Sequence, residues 1–307
     1  MSSSSQPPAL NRDALAAIES HAARLAAEAG ALLLDYFNRP LEVVYKTKGH
    51  ADPVTEADHA SEKLLLEGIK SQFPTHTVLS EESPDAPDPN SPFLWVLDPL
   101  DGTTNFLNRF PFWAVSIGVL YQGAPVAGAL FIPALAPLGG QVLHASDGGG
   151  AFLEDHPLKL LTGAEASDRR LSAVPAYVWG QFRMKRDLRR SIGELRTTGS
   201  IACELALAAT GSLQFAAFAA PKIWDVAAGV LILKEAGGQA LVRSGRRQWK
   251  PVTSFLDPQA GLPADRDLRK WQASLLAGAP EAVTLLAQSL RPRRSLRRWL
   301  RRLLRRR

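Results

Sequence analysis

Between Phe110 and Ser146 this 307-residue chain carries no aspartate, glutamate, lysine or arginine. An uncharged run of that length belongs in a membrane or in a buried core. Gln122-Gly123-Ala124-Pro125 and several further Gly and Pro break it into pieces shorter than the roughly 20 apolar residues a spanning helix needs. The run therefore predicts paired strands, FWAVSIGVLY and APVAGALFI, joined by a turn at Gln122-Gly123.

The flanking patterns extend that reading. From Asn11 to Phe37, Leu15, Ile18, Ala22, Leu25, Ala29, Leu32 and Leu33 recur at helical spacing. A second helix fits Glu56 to Phe73, with Thr55 as N-cap and Pro74 as its stop. THTVLS at 75–80 and PFLWVLD at 92–98 read as strands, and residues 141–153 as a hairpin around Gly148-Gly149-Gly150. The first half is thus helices packed on a largely antiparallel sheet.

The second half alternates. A strand LSAVPAYV precedes a helix RMKRDLRRSIGEL, a TTGS turn, a helix over 201–212 and a strand near 213–218. The helix DVAAGVLILKEAG stops at Gly237-Gly238, and the strand QALVR follows. Residues 243–267 are polar and irregular, with Asp265-Arg266-Asp267 ahead of a last helical run. Alternation of this kind predicts an α/β layer. The boundary falls between residues 155 and 170, which divides the chain into a loose end at 1–10, halves at 11–160 and 161–290, and a tail at 291–307.

The net charge of +6 is a property of that tail, RPRRSLRRWLRRLLRRR, which holds ten arginines and no acid. Without them, 26 basic residues face 30 acidic ones, so the body is about −4. No global case for nucleic-acid binding remains. The start has no basic segment followed by an apolar one, so it does not read as a secretory signal. A single cysteine, Cys203, precludes an internal disulfide framework and suits a reducing cytoplasm. In the run SIACELALAAT it reads as a small buried helix residue.

Acids stand where apolar segments end. Glu81 and Glu82 follow TVLS, Asp98 and Asp101 follow FLWVL, Asp225 opens a helix after Trp224, and Asp58 sits at another helix start. Such groups can converge in one cleft. Taken singly, Asp58 and Asp225 are better explained as caps, and Asp-Pro-Leu-Asp-Gly is as well explained as an ordinary turn. The six histidines are scattered and no Cys/His cluster has zinc spacing. Oxygen ligands suit a hard cation such as Mg²⁺. After the second aspartate, Gly102-Thr103-Thr104-Asn105 offers backbone N–H groups to an anion. Paired carboxylates beside a phosphate-sized nest are the layout of metal-assisted phosphoryl chemistry.

DPVTEAD (52–58), LSEES (79–83), WVLDPLDGTTNFLNRFPFWAVSIG (95–118) and WDVAAGVLILKEAGG (224–238) together resemble the inositol monophosphatase family, over roughly residues 11 to 290. The resemblance implies an α/β (α+β) fold, a five-layered αβαβα sandwich, a homodimer, and Mg²⁺-dependent, lithium-sensitive hydrolysis of phosphate monoesters. It implies a first metal on Glu81, Asp98 and the Leu100 carbonyl, a second on Asp98, Asp101 and Asp225, and a weaker third on Glu81 and water. Asp58 and Thr103 would polarise the attacking water. Gly102, Thr103 and Thr104 would cradle the phosphate, and Gly199 and Ser200 would lie near the substrate, alongside Asp101 and Asp225.

The chain departs from that family at one position. Inositol-specific members usually carry an acid seven residues before the WD aspartate, and here that residue is Phe218. A phenyl ring cannot accept hydrogen bonds from a polyol, which puts inositol 1-phosphate in doubt and favours a broader sugar or polyol phosphatase. Nucleotide and histidinol phosphatases typically have lysine after DGT, where this chain has Thr104. Nucleotide 3′-phosphate or histidinol phosphate stand as alternative substrates, and a regulatory protein on the same fold as an alternative function. In the tail, Leu296, Trp299, Leu300, Leu303 and Leu304 recur at i, i+3, i+4, i+7 and i+8. That stripe opposite an arginine face suits an anionic membrane surface, nucleic acid or an acidic protein, and a solvated basic end is the plain alternative. The protein is expected to be cytoplasmic, peripheral at the membrane surface if the tail binds lipid.

Overall fold

The computed structural model describes residues 11–39, 43–45, 53–88, 90–135, 139–160, 166–175, 178, 180, 182–184, 191–244, 248–256 and 268–292. The chain start and the amphipathic stripe of the tail lie outside the described residues. No helix among those described is long and apolar enough to cross a membrane.

The charge-free run forms the centre of a seven-stranded sheet. Its strands are β3 (Thr77–Ser80), β4 (Phe93–Asp101), β5 (Ala114–Tyr121), β6 (Ala124–Ile132), β7 (Gln141–Ser146), β8 (Gly150–Leu153) and β9 (His156–Leu158), in that spatial order. β3 runs parallel to β4, and every other pair is antiparallel. A two-stranded ribbon of β1 (Val43–Tyr45) and β2 (Pro53–Thr55) precedes it. Buried on both faces, β5 and β6 have no use for alternating polarity, which is why their sequences are almost continuously apolar.

Helices α1 (Arg12–Phe37) and α2 (Glu56–Gln72) cover the outer face. In α1 the stripe Leu15, Ile18, Ala22, Leu25, Ala29 and Leu33 is buried against the sheet. Each of its leucines and its isoleucine contributes about 1.5–3 kcal/mol of transfer free energy. On the inner face, beyond the short helix α3 (Thr103–Leu107), lie α4 (Ile201–Ala209) and α5 (Ile223–Glu235). A second sheet follows, with order β12 (Glu194–Arg196), β10 (Leu171–Ala173), β13 (Leu213–Phe218), β16 (Leu275–Gly278), β14 (Gln239–Ser244) and β15 (Gln248–Pro251). α6 (Pro280–Ser289) packs on its far side. The layers run α, β, α, β, α, and apolar clusters fill the spaces between them.

α5 comes unusually close to the first sheet. Gly118 and Gly128 are paired on β5 and β6. A Cβ on Gly118 would lie 2.6 Å from Ala227 Cβ, and one on Gly128 would lie 2.9 Å from Ala228 Cα. Two side-chain-free positions and a small-residue helix face thus bring the start of α5 down to the end of β4. α5 ends as expected: Gly237 N donates to Lys234 O (3.0 Å) and Gly238 N to Leu233 O (2.8 Å).

The second half corrects several expectations. RMKRDLRRSIGEL is not helical where it is described. β11 (Phe182–Met184) pairs antiparallel with β17 (Leu290–Pro292), and β12 pairs parallel with β10. Burial of Phe182 at 2% exposure, beside Trp249, outweighs the helical propensity of the basic run. The strand expected over LSAVPAYV ends at Ala173, and α4 ends at Ala209 rather than 212. The irregular stretch contains β15, and the last helical run is a 3₁₀ turn (Leu268–Lys270), the central strand β16 and then α6. The tail's first residues, Arg291 and Pro292, belong to β17. Cys203 is a fully buried helix residue, and burial pushes its thiol far up, away from nucleophilic use.

Candidate active site

Three carboxylates meet at the ends of β3, β4 and the start of α5. The parallel β3–β4 ladder pairs Ser80 with Leu97, and Glu81 N donates to Leu97 O (3.1 Å), so Glu81 stands beside Asp98. On the other side of β4, Asp98 pairs with Ser116, and the buried Ser116 Oγ donates to Trp224 O (2.9 Å). That bond places Asp225, the third residue of α5, over Asp98. The ligand atoms of Glu81, Asp98 and Asp225 all lie within 4.8 Å of one another.

Asp98 and Asp101 are three apart, and in a regular strand they would face opposite sides. The β4–β5 register shifts between them: Asp98 pairs with Ser116 and Asp101 with Ala114, one residue extra on β4. The bulge at Pro99-Leu100 re-aims Asp101. Its charge acts on both Asp98 and Asp225. Asp101 stands beside the trio rather than in it, because its Oδ2 accepts Ser200 Oγ (2.7 Å) and Ala202 N (2.6 Å).

The electrostatics are those of a crowded anionic site. Burial, followed by the charges of Glu81, Asp101 and Asp225, holds the Asp98 carboxyl well above its ordinary range. Burial and the Asp101 charge do the same to Asp225, against the hydrogen bond from Lys222 N (2.7 Å). Burial raises Asp101 to about 6 despite its donors on α4. Ionised together, these groups repel at close range in a poorly solvated place. Oxygen donors so arranged fit a hard divalent cation, whose charge offsets that repulsion.

Asp58 and Thr103 form the second element. Asp58 caps α2: its Oδ2 accepts Thr55 N (2.8 Å) and Thr55 Oγ1 (2.5 Å), while Thr55 Oγ1 accepts Asp58 N (3.3 Å). Its other oxygen, Oδ1, lies 3.3 Å from Thr103 Oγ1. The capping and functional readings therefore hold together, one carboxylate oxygen for each. Burial raises this acid to about 6. Thr103 Oγ1 also lies 3.2 Å from Leu100 O, and its one hydrogen serves either acceptor in turn.

The loop is closed by the second half of the chain. Gly102 adopts a left-handed φ of 94° at the start of α3, and a Cβ there would lie 3.0 Å from Phe112 O. Thr104 is exposed. Asn105 Nδ2 donates to Phe112 O (2.5 Å) and across to Thr198 O (2.7 Å). Gly199 packs against the Asn105 amide, and Ser200 caps α4 by accepting Cys203 N (3.1 Å). Behind this turn the buried Glu204 accepts Thr198 N (2.9 Å) and Thr198 Oγ1 (3.1 Å), and burial raises it to about 7.

Ser116, Thr198 and Glu204 have no assigned role in the sequence reading, and the Asn105 side chain has none. Ser116 and Glu204 did leave a signal, as lone polar residues inside the apolar runs AVSIGVLY and IACELALAA. Phe218 is 1% exposed and lies in the core between the sheets, paired with Leu275. It offers the cleft no polar group.

The inositol monophosphatase family model matches residues 14–289. The chain is 36% identical over 226 residues to the chloroplastic phosphatase IMPL1 of Arabidopsis thaliana, covering 70% of this chain and 59% of that protein's length. It is 32% identical over 222 residues to Nus factor SuhB of Escherichia coli strain K12, covering 71% of this chain and 82% of the relative. The crystal structure of the extragenic suppressor protein suhB from Bartonella henselae matches with a TM-score of 0.69 and 27% identity, over 89% of this chain and 97% of that one.

Proposed function

The chain belongs to the inositol monophosphatase family, and on that premise we propose that it hydrolyses a phosphate monoester with the help of bound Mg²⁺. The observation that carries this reading is the trio Glu81, Asp98 and Asp225, within 4.8 Å of one another and adjoining the Asp58–Thr103 pair.

In this reading Glu81, Asp98 and the Leu100 carbonyl hold one cation, and Asp98, Asp101 and Asp225 a second. A third, weaker one rests on Glu81 and water. Asp101 Oδ2 and Asp225 Oδ2 are tied to backbone donors, which orients each Oδ1 as the ligand atom. The cations supply positive charge that favours hydroxide over water and offsets charge developing on the phosphoryl group. Thr103 Oγ1 holds the attacking water and Asp58 Oδ1 takes its proton through that hydroxyl. Gly102, Thr103 and Thr104 cradle the phosphate, and Gly199 and Ser200 border the substrate. Attack is in line, with no covalent phosphoenzyme.

The buried Phe218 favours a sugar or polyol phosphate over inositol 1-phosphate, with nucleotide 3′-phosphate or histidinol phosphate as alternatives. We further propose lithium sensitivity, a homodimer and a cytoplasmic setting. A second reading, a regulatory protein on the same fold, is favoured by relatives named Nus factor SuhB; docking would run through the basic tail, to an anionic membrane surface, nucleic acid or an acidic protein. The test is phosphate release from inositol, sugar, nucleotide and histidinol phosphates, with and without Mg²⁺ and Li⁺. The expected result is Mg²⁺-dependent release that Li⁺ depresses. No release from any ester with Mg²⁺ present would overturn the enzymatic reading in favour of the regulatory one.

A further inference from the structure

The trio of carboxylates is drawn from three parts of the chain, and each member is held in a different way. Asp98 sits inside β4, and Asp225 is fixed by Ser116 Oγ on Trp224 O. Glu81 is the first residue beyond β3, at the head of an extended loop, 81–88, without regular structure. Its own N–H reaches Leu97 O, after which the ladder ends.

Arg269 holds this loop from a distant part of the sequence. Its Nη2 donates to Ser83 O (2.6 Å) and lies 3.3 Å from Asp85 O, two and four residues past Glu81. The same guanidinium has its central carbon 5.9 Å from the centre of the Trp224 ring, the residue directly before Asp225. One side chain therefore bonds the loop that begins at Glu81 and lies over the residue directly before Asp225.

Its own base is anchored by buried neighbours. Arg269 sits in the 3₁₀ turn Leu268–Lys270, closed by Trp271 N donating to Leu268 O (3.0 Å). Leu268 is 2% and Trp271 0% exposed, and Trp271 meets the Phe255 ring edge-on at 5.1 Å. A planar guanidinium suits this place because it can lie against an aromatic ring while its edge donates to carbonyl oxygens; an ammonium does so less well.

We propose that Arg269 is a positioning residue that sets the separation of Glu81 from Asp225, and through it the affinity of the cluster for a divalent cation. This rests on the reading that the cluster holds a metal. Arg269 touches neither cation nor substrate; it acts on Glu81 through the 81–85 backbone and on Asp225 through Trp224. Partners that orient metal ligands typically affect metal affinity about 10–100-fold.

The test is calorimetric titration of the metal-free, full-length protein with Mn²⁺ and Mg²⁺, for the parent, Arg269→Gln, Arg269→Lys and Trp224→Leu. Arg269→Gln should weaken cation binding about tenfold or more, and Arg269→Lys by less, because it keeps a cation near the ring but loses the planar fork. Trp224→Leu should also weaken it, and the half-saturating metal concentration for phosphate release should rise in parallel. A merely stabilising role would lower the melting temperature of the metal-free variants and leave their cation affinity at the parent value, and that result overturns the proposal. Should Arg269→Gln fail to fold, parent-like affinity in both Arg269→Lys and Trp224→Leu overturns it equally. A parent protein that binds neither cation removes the metal reading itself, whereas a binding parent with unaltered variants removes the Arg269 assignment alone.

Discussion

The two sheets of this protein are built on different terms. In the seven-stranded sheet, β4, β5 and β6 each span eight or nine residues, and β5 and β6 turn directly into one another at Gln122-Gly123. In the second sheet and its flanking ribbon, β10, β11, β12 and β17 have three residues each, and their partners lie far away in the sequence. Long neighbouring strands specify themselves by local pattern, whereas three-residue strands exist because something distant is there to pair with. Most of the proposed ligands hang from the first sheet, and the second half contributes Asp225 and the turn that restrains Asp101. The proposed ligands thus sit mainly on the self-specified half, and the other half closes over them.

The sharpest way to test that division is Asp98→Asn. Phosphate release should fall at least about 10³-fold. The metal-free protein should melt no lower than the parent, because a buried charge held against three others has been removed. Undiminished turnover would place the chemistry elsewhere.

Next comes the contact between the halves. Gly118→Val would drive side-chain atoms into Ala227 and the Ala228 backbone N. Denaturant unfolding should show a loss of about 2–3 kcal/mol, with weaker cation binding as the start of α5 moves off Asp98. A variant as stable as its parent would mean that the close approach of α5 is incidental.

A smaller effect concerns Glu204, in the turn that latches one half to the other. Its folded pKa of about 7 lies above its ordinary value of 4.5, so the protonated form is the one the fold favours. That contribution is fully present below about pH 4.5 and is lost as the pH rises through about 7. Glu204→Gln should therefore match the metal-free parent near pH 4 and exceed it at pH 8 by on the order of 2 kcal/mol. An identical pH dependence in both proteins would show that Glu204 is ionised in the fold without cost.

The smallest effect is at the edge ribbon, where Arg183 and Arg291 stand directly opposite. Like charges in that geometry repel, and Arg183→Glu should stabilise the protein by about 0.2–1 kcal/mol at low salt. A change of the opposite sign would mean that the ribbon is held by interactions other than the cross-strand pair.

Much of this was legible beforehand, for identifiable reasons. Thr55 before Glu56, and Gly237-Gly238 after Glu235, mark helix ends by chemistry that operates within a few residues. The acids at strand ends announced themselves by following apolar runs. The β11 segment was misread because RMKRDLRR has helix-forming residues throughout and its strand partner lies beyond residue 289. Arg269 gave no sign, because a guanidinium in a polar stretch looks the same whether it is solvated or bonded to a distant loop and laid over a helix residue.

The sequence by itself determined the main elements of the first half, the order of acids along them, and the turn chemistry of the DPLDGTTN loop. These follow from period, capping and turn chemistry, all local. Tertiary structure alone decided that a bulge turns Asp101 toward Asp98, that Ser116 and a glycine pair bring Asp225 down to them, and that Asp58 divides its two oxygens between a cap and Thr103. Each depends on which surfaces meet in space, and residues far apart in the chain carry no local record of that meeting.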